Sequence, residues 1–413
     1  MFIGKGGVGK TTLSCATALA AARAGQRVLV ASVDQAHSLG DALGVRITHD
    51  PGTVAGVVSV APGVDVIEID SLALLEDRFG EFARGLSGAG HDHGIDLAAI
   101  DPAELTGLPG VQELLALSEI AQFAEEDDWD LIIVDCPPSA DMLRIVTAPG
   151  TLLGYLERVW PAHTRVLNAV GTDLRRAVLA AAVERVAAAV AGIRDLLADT
   201  SRTGARLITG AERVALAEST RVRSATALLG LRLEAVVVNK VLPPVPSGPP
   251  HPALRWYLGR RGEQLDVIAE LRRRMPEVPV AIAHDNGSEP VGAHALSALA
   301  AVLPVPGTPR VPIPDPMLGG DVRPEPGDPE PEVRWESGTG LESIYTMRLR
   351  LPVADPGTVR LGRVEDDVIV GADGVRRRLR LAPVLRRCTV DGAELEGEQL
   401  VVRFRPDPGV WPR

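Results

Sequence analysis

Short apolar runs alternate with longer helical patterns over residues 1–303. The runs are rich in Val, Ile and Leu, as expected of strands buried on both faces of a sheet, and they span Arg27–Val33, Val64–Ile69, Leu131–Asp135 and Ala235–Asn239. Helices are predicted between them, at Thr11–Ala24, Pro109–Glu126 and Leu174–Leu197. This alternation predicts an α/β domain over residues 1–303, with a mostly parallel sheet flanked by helices and a helical subdomain over residues 150–230.

The pattern changes after residue 303. Residues 304–336 contain 10 of the 33 prolines and an excess of acidic residues, which predicts an extended acidic linker. Over residues 337–413, apolar and polar positions alternate, as in Met347-Arg348-Leu349-Arg350-Leu351, and turn residues such as Asp373-Gly374 separate the segments. The C-terminal part is therefore predicted to be a small antiparallel β-sandwich.

Composition and charge exclude several classes of protein. The net charge of −11 argues against a protein that coats nucleic acid. Cys15, Cys136 and Cys388 are far apart and form neither a disulfide framework nor a Cys-x-x-Cys metal site, which predicts a reducing, cytoplasmic location. The longest apolar run, Leu179–Ile193, is interrupted by two charged residues, so no membrane span is predicted, and no secretory signal is visible.

A glycine-rich segment lies near the start of the chain. It reads Gly4-Lys5-Gly6-Gly7-Val8-Gly9-Lys10-Thr11, is followed by Thr12 and a predicted helix, and holds two of the three lysines among 43 basic residues. It fits the phosphate-loop pattern, in which backbone N–H groups bind phosphate oxygens. Lys10 is expected to pair with the β- and γ-phosphates, and the Thr11 hydroxyl to bind Mg²⁺. Only Met1-Phe2-Ile3 precede the loop, which leaves open a natural start upstream.

Two aspartates follow predicted strands. Asp34 comes after the strand at Arg27–Val33, where its carboxylate is expected to orient an attacking water or join the Mg²⁺ shell; a helix N-cap is the alternative. Asp135 ends the apolar strand Leu131–Asp135, as in a Walker B element, and is expected to hold Mg²⁺ directly or through water.

The segment with Lys5 resembles the deviant Walker A motif of the signature-lysine ATPases, a branch of the P-loop NTPases. Val33–Asp41 looks like the switch I motif of the arsenical pump-driving and tail-anchored-protein targeting (ArsA/Get-type) family, and Asp135–Arg144 is similar to its switch II. The resemblance implies a Mg²⁺-dependent homodimeric ATPase that converts ATP and water to ADP and phosphate. It also implies that Lys5 is catalytic and reaches the partner's nucleotide, alongside Lys10 and Asp34.

Two later segments carry the same resemblance. Val236–Pro243 is similar to the family's adenine-recognising strand end, and Pro279-Val280 to the start of its loop over the base, so the resemblance implies that Asn239 and Pro279 bind ATP. The sandwich is similar to the small heat-shock (HSP20-like) fold, with a generic β-sandwich as the alternative.

Several family features are missing. Gln35, Pro137 and Asp141 depart from the switch motifs, and the cysteines of the family's metalloid and zinc sites are absent. The client is therefore open: an unknown protein, an anion or a membrane partner. A non-catalytic, nucleotide-gated holdase and a Par-like positioning switch remain the rival hypotheses.

Overall fold

The computed structural model describes residues 1–34, 38–47, 56–77, 111–161, 164–165, 174–245, 251–301, 303, 331–353 and 355–411. The middle of the predicted switch I motif, with Gln35, and most of the predicted linker lie outside these residues. The chain divides into two compact units: Met1–Leu196 with Ala281–Pro314, and Leu197–Val280 with Asp315–Arg413. Residues 197–280 thus group with the C-terminal strands, although the sequence pattern assigns them to one domain with residues 1–196.

The first unit contains a five-stranded set in the order β3-β4-β2-β5-β1. Its strands are β1 (Phe2–Ile3), β2 (Val28–Ser32), β3 (Val58–Ala61), β4 (Val64–Glu68) and β5 (Leu131–Asp135). The neighbours β4, β2, β5 and β1 run parallel, and only β3 is antiparallel to its partner. Because these strands are parallel, their carboxyl ends lie at one edge of the sheet, where ligands bind in open α/β sheets.

Helices connect and cover these strands. The first unit has α1 (Lys10–Arg23), α2 (Leu39–Leu43), α3 (Val111–Phe123), α4 (Ser139–Val159) and α8 (Gly292–Ala300), and α5 (Leu174–Ala198) leads into the second unit. The core-facing residues of α1 are mostly small, including Ser14, Cys15 and Ala18, and are fully buried. Small side chains allow the helix that follows the glycine-rich loop to pack closely.

The second unit begins with an α/β segment. Strands β6 (Gly204–Gly210) and β7 (Arg232–Val241) are parallel and are joined by α6 (Arg213–Leu229). After α7 (Pro252–Arg274), the chain returns to the first unit along β8 (Val280–His284). Gly230 ends α6 in the left-handed conformation, with φ of 81°, which glycine adopts without strain.

The C-terminal strands of the second unit form two antiparallel sheets. Their orders are β14-β15-β10-β9 and β11-β12-β13. The strands are β9 (Glu332–Ser337), β10 (Ile344–Arg350), β11 (Arg360–Val364), β12 (Asp367–Ala372), β13 (Val375–Arg380), β14 (Cys388–Glu396) and β15 (Gln399–Pro406). Buried residues from both sheets, such as Met347, Val370 and Phe404, share one apolar core, as the alternating pattern predicts.

The predicted fold class is confirmed: a mostly parallel α/β sheet with flanking helices, followed by antiparallel sheets that fit a small-heat-shock-like sandwich. Two strands lie where the sequence pattern does not place them. Strand β6 lies within the region of about 150–230 that was expected to be helical, and β9 begins at Glu332, inside the predicted linker. β6 carries Arg206, whose guanidinium pairs with Glu234 of β7, so its apolar pattern is interrupted.

Candidate nucleotide and magnesium site

Three polar residues lie side by side at the carboxyl ends of adjacent parallel strands. Ser32 of β2 is in register with Glu68 of β4 on one side and with Asp135 of β5 on the other. All three are buried, with at most 3% of the residue exposed. The sheet thus brings together residues that are far apart in sequence, at the edge where parallel sheets bind ligands.

The glycine-rich loop joins β1 to α1 beside this row. Gly7 and Gly9 have φ of 78° and 92°, in the left-handed region that glycine favours. Gly9 directly precedes the first residue of α1, and no side chain caps this helix. The loop therefore leads directly into the N-terminus of α1, where backbone N–H groups and the helix dipole favour the binding of an anion.

The lysines of the loop occupy different environments. Lys10 is 7% exposed, and its ammonium donates to the carbonyl oxygen of Lys5 at 3.2 Å, across the loop. Lys5 is exposed, as are Gly6 and Gly7, while Gly4 is buried. Of the remaining residues of the motif, Val8 is half-buried, and Thr11 and Thr12 lie half-buried in the first turn of α1.

Thr11 and Asp135 meet through a direct hydrogen bond. The Thr11 hydroxyl donates to Asp135 Oδ2 at 2.7 Å, and Thr11 Oγ1 lies 3.1 Å from Ser38 Oγ. Ser14, one turn further along α1, donates to Asp135 Oδ1 at 3.3 Å. A hydroxyl and a carboxylate oxygen in contact at the start of α1 are hard oxygen donors of the kind that Mg²⁺ prefers, and the residues present fit this ion.

Burial dominates the electrostatics of Asp135. It raises the pKa of this carboxyl from an ordinary 3.8 to about 6, while the hydrogen bond from Thr11 and the charge of Lys10 act in the opposite direction. The nearby Asp34 carboxylate raises the pKa further. Burial makes the charged form of this carboxyl unfavourable, and a cation bound beside it would stabilise that charged form.

Asp34 lies just beyond β2, two residues after Ser32. Its backbone N–H donates to Ser32 Oγ at 3.3 Å, and the residue is half-buried. The backbone N–H of Val33 donates to the Asp135 carbonyl at 3.1 Å, which holds this turn against the end of β5. Asp34 and Asp135 are therefore neighbours at one sheet edge. The structure gives no support to the helix N-cap alternative, since α2 begins only at Leu39, after Ser38.

Glu68 is a residue of this site that the sequence motifs do not mark. Its carboxylate accepts from the backbone N–H of Leu39 at 3.0 Å and of Gly40 at 3.4 Å, at the start of α2. The preceding residue, Ser38, is the one that contacts Thr11. Glu68 thus holds the described end of the predicted switch I segment; in the sequence it is a charged residue inside the apolar strand predicted at Val64–Ile69.

The residues predicted for base recognition lie in the second unit. Asn239 is near the end of β7 and 8% exposed, and the backbone N–H of Val236 in the same strand donates to the Pro279 carbonyl at 2.9 Å. Lys240, which follows Asn239, has φ of 59°, an uncommon conformation for a residue with a side chain. Gln264 of α7 stabilises this turn by donating to the Lys240 carbonyl at 3.1 Å and accepting from the Leu242 N–H at 2.9 Å.

The three cysteines lie in the interior of the fold. All three are buried and free. Burial raises the pKa of the Cys136 thiol, next to Asp135, to about 12, and it raises that of Cys15 even further. Both thiols are therefore neutral at physiological pH and poor nucleophiles or metal ligands.

Family comparison agrees with this geometry. A model of the anion-transporting ATPases matches residues 1–305, and a model of the HSP20-like domain found in ArsA matches residues 342–404. The chain belongs to the anion-transporting ATPase family. The predicted ArsA/Get-type resemblance and the HSP20-like tail are thereby confirmed.

Two relatives align with the whole of this chain, and a third aligns with part of it. Protein Rv2184c of Mycobacterium tuberculosis is 44% identical over 423 residues, covering 100% of this chain and 97% of the relative. Uncharacterized protein SCO2128 of Streptomyces coelicolor is 35% identical over 429 residues, covering 100% and 98%. The Arsenical pump-driving ATPase of Acidiphilium multivorum is 29% identical over 327 residues, covering 74% of this chain and 50% of the relative.

Both the matched family and this last relative are named as ATPases. Among the residues that the structure describes, no helix combines the length and the apolar character needed to cross a membrane.

Proposed function

We propose that this member of the anion-transporting ATPase family hydrolyses ATP with Mg²⁺ and couples its nucleotide state to a client. The observation that carries the proposal is the contact between the Thr11 hydroxyl and the Asp135 carboxylate at 2.7 Å, directly after a glycine-rich loop. This is the pairing of Walker A and Walker B groups that phosphoryl transfer needs.

The loop is proposed to bind the phosphates of ATP. Backbone N–H groups of the loop and of the first turn of α1 are suited to phosphate oxygens, because the left-handed glycines keep side chains out of the way. Lys10 would supply a compact positive charge for the β- and γ-phosphates. Thr12 lies in the same first turn, next to Thr11.

Thr11 and Asp135 are proposed to hold Mg²⁺, Thr11 through its hydroxyl and Asp135 directly or through water. An Mg²⁺ ion held there would supply positive charge to the phosphate oxygens of the nucleotide. Ser14 donates to the other Asp135 oxygen and fixes the orientation of the carboxylate. Asn239 and Pro279 are proposed to recognise the adenine base. The side-chain amide of Asn239 can both donate a hydrogen bond to the base and accept one from it.

Asp34 is the proposed group that orients the attacking water. It lies near Asp135, just beyond the end of β2, and it is only half-buried, so water can reach its carboxylate. Lys5 is proposed to complete catalysis by reaching the nucleotide of a second copy, so that hydrolysis depends on a homodimer. Its exposure on the loop is compatible with that role. The cell compartment proposed for this activity is the cytoplasm.

Two variants separate binding from turnover. Lys10→Ala is expected to abolish binding of ATP, whereas Asp34→Asn is expected to bind ATP as the wild type does and to lose hydrolysis, because only water orientation is affected. Calorimetric titration and phosphate release measure the two properties. Normal hydrolysis by Asp34→Asn would refute its role. ATP binding without hydrolysis by the wild-type protein, with or without an unfolded or apolar helical client, would favour the nucleotide-gated holdase instead.

A further inference from the structure

The C-terminal sandwich packs against the α/β segment of the second unit. Leu228, in the last turn of α6, is fully buried within the core of the sandwich, beside residues such as Leu379 and Phe404. Arg377 of β13 donates to the Leu228 carbonyl at 3.0 Å. Residues from the α/β segment and from the sandwich therefore share one apolar core and one helix-end hydrogen bond.

A network of four charged groups lies at the same contact. Arg223 of α6 is 6% exposed, and its guanidinium donates to Glu277 at 2.9 Å and to both carboxylate oxygens of Glu398 at 2.8 and 2.9 Å. Arg350 of β10 pairs with the same two carboxylates, at 3.1 Å from Glu277 and 3.4 Å from Glu398. Two groups of the network, Arg350 and Glu398, belong to the sandwich.

Glu277 connects this network to the segment proposed to bind the base. It stands two residues before Pro279, whose carbonyl accepts from the Val236 N–H of β7, the strand that carries Asn239. The ion pairs of the sandwich thus reach Glu277, and the segment from Glu277 to Pro279 is bonded to β7 at Val236, three residues before Asn239. The buried guanidinium of Arg223 holds Glu277 and Glu398 together, and removing Glu398 would leave this buried charge with one carboxylate fewer, which weakens the network around Glu277.

We propose that Arg350 and Glu398 of the HSP20-like sandwich are positioning residues for the Glu277–Pro279 segment and thereby set the affinity of the protein for the adenine end of ATP. This rests on the proposed function, in which Pro279 and Asn239 recognise the base. In this arrangement the sandwich is a structural part of nucleotide recognition.

The test uses the full-length chain and a matched pair of variants. Arg350→Ala removes the sandwich cation that contacts Glu277. Arg348→Ala removes an arginine from the same strand with nearly equal side-chain exposure, 38% against 37%, whose partners Glu396 and Gln399 both lie in the sandwich. Glu398→Gln provides a second variant that preserves side-chain volume. Calorimetric titration measures the dissociation constants for ATP and for inorganic tripolyphosphate, which has no base.

We expect Arg350→Ala and Glu398→Gln to weaken ATP binding by about three- to tenfold, the range that coupling within one ion-pair network produces. Tripolyphosphate binding should be unchanged in both variants, and Arg348→Ala should match the wild type for both ligands. Wild-type ATP affinity in Arg350→Ala and Glu398→Gln would overturn the inference. So would equal weakening of ATP and tripolyphosphate, or an effect of the same size in Arg348→Ala. A wild-type protein that binds no ATP would instead refute the proposed function.

Discussion

Replacing Asp135 by Asn should stabilise the protein without ligand while removing its response to Mg²⁺ and ATP. Asp135 is fully buried, and burial raises the pKa of its carboxyl from 3.8 to about 6. The folded state therefore binds the proton more tightly than the unfolded state does. At neutral pH the carboxylate is charged in both states, and its charge opposes folding.

The size of this effect follows from the two pKa values. At about 1.36 kcal/mol per pKa unit, the charged Asp135 costs about 3 kcal/mol of the free energy of unfolding once the pH exceeds 6. This destabilisation is fully present above about pH 6, the pKa of Asp135 in the folded state. It falls to about half at pH 5 and disappears below the pKa of Asp135 in the unfolded state. An Asn side chain removes the charge but accepts less well from Thr11 and Ser14, which costs about 1 kcal/mol. A net gain of about 2 kcal/mol remains.

Thermal unfolding measured with and without MgATP tests this reasoning. Without ligand at pH 7.5, Asp135→Asn should melt about 4–8 °C above the wild type, and its advantage should shrink as the pH falls towards 5. With saturating MgATP the wild type should gain about 2.7 kcal/mol or more at a hundredfold excess over its dissociation constant, and the variant much less.

Asp130→Asn is the control for this prediction. The Asp130 carboxylate lies at the start of the same strand, and its hydrogen bond with Arg27 lowers the pKa, so it favours folding at neutral pH and its loss should not raise the melting temperature. The reasoning fails if Asp135→Asn melts below the wild type at pH 7.5, or if the difference between the two is the same at pH 5.

Two further variants test other residues of the site. Glu68→Ala should lower kcat by about tenfold or more while leaving ATP affinity unchanged, because Ser38 and Leu39 lose their fixed position. Glu68→Gln should restore turnover. The control is Asp70→Ala, which removes a similar acceptor from the Leu72 and Ala73 N–H groups. A parallel loss in Asp70→Ala would contradict a role specific to Glu68. Lys5→Arg should lower steady-state turnover by about an order of magnitude with ATP binding intact, because a planar fork cannot replace a compact ammonium; unimpaired phosphate release would refute the signature-lysine role.

Much of the fold follows from local patterns. The runs that end at Asp135 and near Asn239 form strands because continuous apolar character suits a strand covered on both faces. Strand β14 escapes prediction, since its side chains are mostly exposed and a register shift between Val390 and Gly392 breaks the alternation.

Some residues of the site are likewise recognisable in the sequence, and others are not. Glycines, lysines and Thr11 are recognisable because they are consecutive, and Asp135 because it ends an apolar strand. Glu68 and Gln264 act through backbone N–H and carbonyl groups that lie 29 and 24 residues away at Leu39 and Lys240. Such contacts depend on the register of neighbouring strands and on helix packing, and no local spacing encodes them.

The burial of Leu228 in the sandwich core has a consequence for the order in which the chain folds. Arg377 reaches the Leu228 carbonyl across 149 residues, and Glu398 reaches Arg223 across 175. During synthesis, α6 leaves the ribosome long before Arg377 and Glu398, so Leu228 and Arg223 are first made without these partners. Contacts of such long range form slowly because the intervening chain must first be closed into a loop. The second unit can therefore reach its native state only after its C-terminal strand has been made, and until then the nascent α6 surface exposes groups that chaperones can protect.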